Sequence, residues 1–345
     1  MALFNTLEKL ISADSVSGFE GGIREVMKKE LKPFVDEIKV DKIGNLIARK
    51  GKGKPKVMIT AHMDEIGLMV KDIEKDGFIR FDTVGGWDNR ILLASKVKIY
   101  GSKGGIIGVV GSKPIHVMEE EEKKKPIKLK DLFIDIGAKS DKEVNKAGVE
   151  IGNFVAPYGE LNKLISSRIT GQGFDDKLGC LALIEIMKSL KNFKGTVYIA
   201  GTVQEETGLI GIRGTAFGVE PDVVLAIDTT IAGDTPEMKG ESLPTEVGKG
   251  PVLVLKDAIS MMQPQVKKWM KAAAKKAKLN LQYEVMMGGA TDASITPTVR
   301  EGIPSGCVAI ASRYIHTPVE VADMKDIESV VKLVVEAVKM SSQYI

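Results

Sequence analysis

The sequence predicts an α/β protein, with a mixed central sheet flanked by helices and a small β-barrel-like domain inserted into it. Helical and strand patterns alternate near both ends of the chain, whereas short β-branched segments separated by glycines fill the middle. At 345 residues the chain is long for one domain, which also favours an insertion. We therefore predict one unit formed by residues 1–67 and 166–345, and a second, β-rich unit formed by residues 68–165.

The first unit begins with two segments of helical periodicity, residues 4–13 and 22–31, joined by the turn Ser17-Gly18-Phe19-Glu20. Strand-like runs follow at residues 37–40, 45–49 and 57–61. The last run, Val-Met-Ile-Thr-Ala, is almost wholly apolar and leads into His62. Such a run is typical of a strand that is buried on both faces of a sheet.

Helices and strands alternate again after residue 166. We predict helices at residues 176–189, 265–277 and 324–340, and strands at 196–203, 223–227, 282–286 and 303–311. Asp323 is placed to cap the last helix. Within the β-rich middle, the charged run at residues 119–125 is interpreted as a solvated loop.

Composition limits the classes of function. A net charge of +3 gives no ground for a nucleic-acid partner. The first residues lack a signal-peptide pattern, and no apolar run approaches the roughly 20 residues that span a bilayer, so we expect a cytoplasmic protein with no membrane association. Cys180 and Cys307 stand in apolar contexts, which favours buried core residues over a disulfide or a thiolate metal site.

Side chains of types that can bind metal ions follow several predicted strands or begin a helix. They are His62, Asp64, Asp175, Asp176, Glu205, Glu206, Asp228 and His316. In open α/β sheets, ligands bind at the carboxyl ends of the strands. Carboxylates that converge there repel one another unless cations neutralise them. Imidazoles among carboxylates suit zinc, cobalt or manganese better than calcium or magnesium, and a metal pair is well suited to hydrolysis.

Each of these residues also has a structural explanation. The His62-Met63-Asp64 spacing could make a local hydrogen bond, and Asp175-Asp176 could cap a helix. Glu205-Glu206 could form a solvated turn. Taken singly these explanations are adequate, but together they leave unexplained why so many ligand-type residues occur at strand ends.

Five segments, in this order, resemble the glutamyl aminopeptidase family, which includes the self-compartmentalising tetrahedral (TET) aminopeptidases of archaea. They are residues 60–67, 174–179, 204–208, 228–230 and 313–318, and residues 17–20, 111–116 and 289–293 fit the same pattern. The resemblance extends over essentially the whole chain. One departure is Gln172-Gly173, where a basic residue and a small residue are common in the family.

The resemblance implies a dinuclear metal site. His62, Asp175 and Asp228 would hold one divalent ion, zinc or cobalt. Asp175, Glu206 and His316 would hold the second, so that Asp175 is shared between the two.

The resemblance also implies roles for two further acids. The Asp64 side chain would accept a hydrogen bond from the far nitrogen of His62 and orient the ring. Glu205 would act as the general base that takes a proton from the attacking water. The peptide bond after Asp175 would be cis.

By the same resemblance, the chain would be a zinc-peptidase-type aminopeptidase that removes N-terminal residues from short peptides. It would assemble into dimers through the inserted β-rich unit, and further into a tetrahedral dodecamer. Alternatives are another dinuclear metal hydrolase (a deacylase, a carboxypeptidase or a relative labelled as a glycosidase) or a non-catalytic assembly protein.

Several residues keep open roles. His116 would be structural or at an interface, or it would face the substrate of a neighbouring subunit. Asp292 would line the pocket for the first side chain of the substrate or begin a helix. The loops at residues 231–236 and 240–248 would shape that pocket.

Overall fold

The computed structural model of this chain describes residues 2–238 and 243–345. Its helices are α1 (Ala2–Ile11), α2 (Gly21–Leu31), α3 (Asn89–Leu92), α4 (Glu120–Lys123), α5 (Asp141–Lys146), α6 (Phe174–Ser189), α7 (Ile210–Val219), α8 (Pro264–Ala277), α9 (Asp292–Ile295) and α10 (Met324–Met340). Its strands are β1 (Glu37–Val40), β2 (Leu46–Lys52), β3 (Lys56–His62), β4 (Gly67–Ile73), β5 (Ile79–Val84), β6 (Lys96–Gly101), β7 (Gly104–Gly111), β8 (Phe133–Asp135), β9 (Phe154–Pro157), β10 (Asn162–Lys163), β11 (Arg168–Gly171), β12 (Gly195–Thr202), β13 (Val223–Ile231), β14 (Val252–Lys256), β15 (Gln282–Val285), β16 (Ser305–Ser312) and β17 (Glu320–Asp323).

Eight strands form one mixed sheet in the order β1-β2-β12-β3-β13-β16-β14-β15. The four central strands, β12, β3, β13 and β16, run parallel to one another. Antiparallel pairs join β1 to β2, β2 to β12, and β14 to β16. Because parallel strands end at the same edge, the residues that follow β3, β12 and β16 are brought together there.

Helices cover both faces of this sheet. On one face, Ile59 of β3 packs in the largest apolar cluster, to which α1, α2, α6, α8 and α10 contribute. On the other face, the neighbouring residue Met58 packs with Ile212 and Ala216 of α7. Successive side chains of a strand point to opposite faces, so a strand covered on both sides needs a continuous apolar sequence. The buried length of β3 matches that requirement.

A second core lies inside a closed barrel of six strands in the order β4-β5-β8-β7-β6-β9. All neighbouring strands of the barrel are antiparallel. Leu68, Ile99, Ile134 and Val155 are among the residues that fill it. The predicted fold class, a mixed α/β sheet with a small inserted barrel, is therefore confirmed. Beyond the barrel, β10 pairs with β11, which in turn pairs with β17.

The largest departure from the predicted strands concerns Asp228. The strand predicted at residues 223–227 continues to Ile231, so Asp228 lies within β13 and pairs with Ala309 of β16. Pairing of β13 with β3 ends at Ala226, opposite Thr60. Asp228 therefore has a hydrogen-bonded neighbour strand on one side only, and it sits where β13 separates from β3.

Two further predictions can be compared with the structure. Asp323 caps α10, because its Oδ1 accepts a hydrogen bond of 2.9 Å from the backbone N–H of Lys325, as predicted. Cys180 and Cys307 are both buried and unbridged, which confirms their assignment to the core. Among the described residues, none of the helices is both long and apolar enough to cross a lipid bilayer.

Candidate active site

Two groups of ligand-type side chains meet at the carboxyl edge of the parallel strands. His62, Asp175 and Asp228 form one group, and Asp175, Glu206 and His316 form the other. Within each group, one potential ligand atom per residue lies within 4.8 Å of the others. Asp175 belongs to both groups, so all five residues predicted as metal ligands converge on one place.

His62 ends β3, and its ring is held between two kinds of oxygen. Its Nδ1 is 2.9 Å from the main-chain oxygen of Asp64. Its Nε2 is 3.0 Å from Oδ1 of Asp175 and 3.8 Å from Oδ1 of Asp228. Burial lowers the pKa of His62, but the nearby carboxylates, Glu205 foremost, outweigh burial and raise it well above its ordinary value.

His316 reaches the same place from the loop after β16, and the barrel supports it. Its Nδ1 is 2.9 Å from the main-chain oxygen of Gly86, which follows β5 of the barrel. Its Nε2 is 3.3 Å from Oδ2 of Asp175 and 3.2 Å from Oε1 of Glu206. Burial lowers the pKa of His316, but the two carboxylates raise it overall, to about 11.

The donor set fits divalent cations. A main-chain oxygen only accepts hydrogen bonds, so each Nδ1 must carry the proton that it shares with Asp64 or Gly86. In the neutral ring, Nε2 then presents a lone pair toward carboxylate oxygens, which is repulsive unless a proton or a metal ion lies between them. Metal-bound histidines usually donate their other ring N–H to a carbonyl or carboxylate, as each Nδ1–H does here.

The Asp64 side chain does not make the predicted hydrogen bond with the ring of His62. The hydrogen-bonding partner of His62 is the main-chain oxygen of Asp64, whereas the carboxylate lies 3.7 Å from Nδ1, too far for a hydrogen bond. Instead, Oδ1 and Oδ2 of Asp64 accept hydrogen bonds of 3.0 and 3.1 Å from the backbone N–H groups of Glu205 and Glu206. The carboxylate is turned this way because those two amides follow β12 and would otherwise be unpaired in a buried environment.

Glu205 adjoins both groups without belonging to either. Burial raises the pKa of its carboxyl well above the ordinary value; His62 opposes this rise, and Asp228 and Glu206 add to it. Among the described residues, none donates a hydrogen bond to the Glu205 carboxylate. An acid with a raised pKa and an uncommitted carboxylate is suited to accept a proton and to return it.

Comparisons with known proteins identify the family of the chain. The family model described as M42 glutamyl aminopeptidase matches residues 44–333. The chain belongs to this family. It is 36% identical over 336 residues to the lysyl aminopeptidase of Pyrococcus furiosus, covering 96% of each protein.

Solved structures give the same assignment. An aminopeptidase of the archaeon Desulfurococcus kamchatkensis superposes with a TM-score of 0.94 at 36% identity, covering 98% of this chain and 94% of that one. The Pyrococcus horikoshii TET1 peptidase superposes with a TM-score of 0.88 at 34% identity, covering 97% and 99%. As a member of this family, the chain is a peptide hydrolase. Peptidases of the M42 family depend on metal ions, and the two ligand groups of this chain are candidates for binding them.

The segment of this M42 chain that carries Asp175 is fixed by a buried ion pair that the sequence analysis missed. Nζ of Lys177 lies 2.8 Å from Oε1 of Glu65, and Oγ of Ser15 donates to the same oxygen at 2.5 Å. The peptide bond between Asp175 and Asp176 is cis, as the resemblance implied. Because Glu65 follows Asp64 and Lys177 follows Asp176, the pair joins the two segments that bring His62 and Asp175 together.

The departure at Gln172-Gly173 leaves the ligand groups intact. The Gln172 side chain accepts a hydrogen bond from the backbone N–H of Gly159, away from both ligand groups. Gly173 has a φ of +58°, and a Cβ there would collide with the Glu65 carboxylate and with Nζ of Lys177. A side chain at position 173 would therefore strain the backbone and displace the buried Glu65–Lys177 pair, which favours glycine there.

Other residues with open roles are also located. Asp292 is the first residue of α9 and accepts a 2.7 Å hydrogen bond from Thr202, and burial raises its pKa to about 7 despite that bond. His116 lies exposed in a short 3₁₀ segment of the barrel, apart from the ligand groups. Of the loops expected to shape the substrate pocket, residues 231–236 are described, whereas residues 240–242 of the second loop lie outside the described residues.

Proposed function

We propose that this chain is an aminopeptidase that removes N-terminal residues from short peptides with the help of two divalent cations, zinc or cobalt. The observation that carries the proposal is the pair of ligand groups that share Asp175, with the uncommitted acid Glu205 beside them. In this proposal, residues 1–67 and 166–345 form the catalytic unit and residues 68–165 form a dimerisation unit.

The ligand groups divide the work of holding the cations. His62, Asp175 and Asp228 would hold one, and Asp175, Glu206 and His316 would hold the other. When bound, such a pair supplies a water of lowered pKa and neutralises charge that develops on the scissile carbonyl. The main-chain oxygens behind each Nδ1 keep the histidine rings in the orientation that this requires.

Glu205 would transfer the proton during the reaction. Its carboxylate would accept a proton from the attacking water and later donate it to the nitrogen of the leaving amine. Burial, which raises the pKa of Glu205, favours the protonated form that the second transfer needs. Asp64 would act as a positioning residue, because it binds the amides of Glu205 and Glu206 and does not face the reaction itself.

The Glu205→Gln variant tests the mechanism. Glutamine keeps the shape of the side chain but cannot accept the proton, so kcat on aminoacyl substrates should fall by about 100- to 10,000-fold. The cation content, measured by mass spectrometry of the dialysed protein, should stay that of the wild type. Glu328→Gln on the exposed side of α10 is the matched control and should keep full activity. Unchanged activity in Glu205→Gln would refute the mechanism.

A substrate panel separates the alternative hydrolases. Peptides with free N-termini should be cleaved, and residues should be released from the N-terminus and not from the C-terminus. N-acetylated peptides and cellulosic substrates should not be cleaved. Repeating the assay after chelation, with zinc or cobalt added back singly, identifies the metal that restores activity. Hydrolysis of only the acetylated or the cellulosic substrates would favour the other hydrolase classes.

We propose assembly into dimers through the barrel and further into a dodecamer, by analogy with the TET1 peptidase, which is described as forming a tetrahedron or an octahedral shell. Exposed apolar side chains on β7 and the segment after it support a contact surface there: Ile107, Val109, Ile115 and Val117. Light scattering of the purified protein should give a mass of about 450 kDa for twelve chains of 37.3 kDa. A monomeric mass would refute the assembly.

A further inference from the structure

Four successive backbone amides after β12 are each bound by a side-chain oxygen from another part of the chain. The N–H groups of Val203 and Gln204 donate to Oδ1 of Asn45 at 3.0 Å and to Oε1 of Glu20 at 3.1 Å. The two that follow donate to the carboxylate oxygens of Asp64, as described above. The backbone that leads into the proposed general base is therefore held at every amide, although it is neither helix nor strand.

Of these side chains, that of Glu20 comes from a segment far from the ligands in sequence, and it does not cap the helix that follows it. It immediately precedes α2, at the position whose side chain often accepts hydrogen bonds from the first amides of a helix, yet it makes no such bond. Its Oε1 instead accepts the N–H of Gly18, at 2.7 Å, and that of Gln204. The residue is only 4% exposed, so these amides bind a carboxylate that has little contact with solvent.

The amide that Glu20 binds needs such support. Gln204 has a φ of +54°, in the left-handed region that a residue with a Cβ disfavours. The turn at residues 17–20 makes a second contact with this segment, because the hydroxyl groups of Ser17 and Thr207 lie 3.1 Å apart. The turn at residues 17–20 thus spans the segment that carries Glu205, one contact on each side of it.

We infer that Glu20 is a positioning residue for the proposed general base: by fixing the amide of Gln204, it sets the direction in which the Glu205 side chain leaves the backbone. The inference rests on the proposed function, since it concerns the same site. The position of the acceptor oxygen carries the effect, because the N–H groups of Gly18 and Gln204 both donate to Oε1.

Two conservative variants separate the position of that oxygen from its charge. Glu20→Gln keeps an acceptor oxygen at the same reach and removes the charge. Glu20→Asp keeps the charge and withdraws the oxygen by one methylene group. Glu25→Gln, on an exposed turn of α2, is the matched control.

Misplacement of a catalytic group by about 1 Å can cost on the order of 100-fold in rate, so Glu20→Asp should lower kcat by at least about 10-fold. Its KM should change by less than about threefold, since substrate contacts are not removed. Glu20→Gln should stay within about threefold of the wild-type kcat. Hydrogen exchange followed by mass spectrometry should show faster exchange of the peptide that contains Gln204 in Glu20→Asp, and not in Glu20→Gln.

The inference is overturned if Glu20→Asp keeps the wild-type kcat, or if Glu20→Gln is the more impaired variant, since charge would then matter more than position. Combining Glu20→Asp with Glu205→Gln should lower the residual rate no further, because the group to be positioned is already inactive. If Glu205→Gln alone were fully active, the proposed function would fail. If Glu205→Gln is inactive but Glu20→Asp is active, only the role of Glu20 fails.

Discussion

Replacing Lys177 by methionine isolates the contribution of the buried ion pair beside Asp175. The side chains of Lys177 and Glu65 are 0% and 2% exposed, with 2.8 Å between Nζ and Oε1. Methionine has a similar length and an apolar character, so the packing changes little while the positive charge is lost. The Glu65 carboxylate would then be buried without its counter-charge, although it would keep the hydrogen bond from the hydroxyl of Ser15.

Removing one partner of a buried ion pair costs about 3–5 kcal/mol, because the remaining charge has lost both water and its counter-charge. A melting entropy of roughly 2.1 cal/mol/K per residue, taken over 345 residues, is about 0.7 kcal/mol/K. The Tm of Lys177→Met should therefore fall by about 4–7 °C. Adding Glu65→Gln removes the stranded charge and keeps an acceptor for Ser15, so the double variant should regain most of this loss.

Scanning calorimetry of chelated protein at one fixed concentration provides the assay, because metal binding and subunit association both shift Tm. The control is Lys71→Met, which breaks an ion pair with Asp82 whose side chains are 64% and 55% exposed. This control substitution should lower the free energy of unfolding by less than about 1 kcal/mol. The reasoning would be refuted if Lys177→Met had the same Tm as Lys71→Met, or if the double variant had a lower Tm than Lys177→Met.

Two further predictions concern ligands and capping. Asp175→Ala removes the residue shared by both ligand groups, so the content of both cations in the dialysed protein should fall, and a normal cation content would contradict the shared role. Asp323→Ala removes the 2.9 Å cap of α10 on the N–H of Lys325 and should lower the free energy of unfolding by about 1 kcal/mol in a denaturant titration. Asp323→Asn keeps a capping oxygen, so its free energy of unfolding should fall distinctly less than that of Asp323→Ala. An equal fall in both variants would assign the effect to the ion pair between Asp323 and Arg168.

The elements that the sequence predicts well are those with a strong local signal. β1 and α10 begin and end at the predicted residues, because a clean periodicity and a capping acid define them. By contrast, α7 was not predicted. Its sequence contains Gly211, Gly214 and Gly218, which disfavour a helix, and its stability comes from burying Ile212 and Ala216 against the sheet. Such packing is a property of the tertiary fold and leaves little local trace.

The same distinction applies to the site. The five ligand-type residues could be predicted because their chemistry and order are visible in the chain. The residues that hold them in place could not be assigned a partner, because each contact crosses a long sequence separation: Glu20 to Gln204, and Glu65 to Lys177. Gly86 was missed for another reason, since only its main-chain oxygen takes part and no side-chain signal marks it.

The hydrogen bond between His316 and Gly86 couples the barrel to the second ligand group. Whatever favours the ring orientation of His316 also favours the placement of the barrel loop that carries Gly86, and by reciprocity the converse holds. A cation held by the second ligand group, as proposed, would therefore also favour the placement of that barrel loop. A replacement module in this position would have to supply a carbonyl at the same point, since a barrel of equal size and shape without it would leave Nδ1 of His316 without an acceptor.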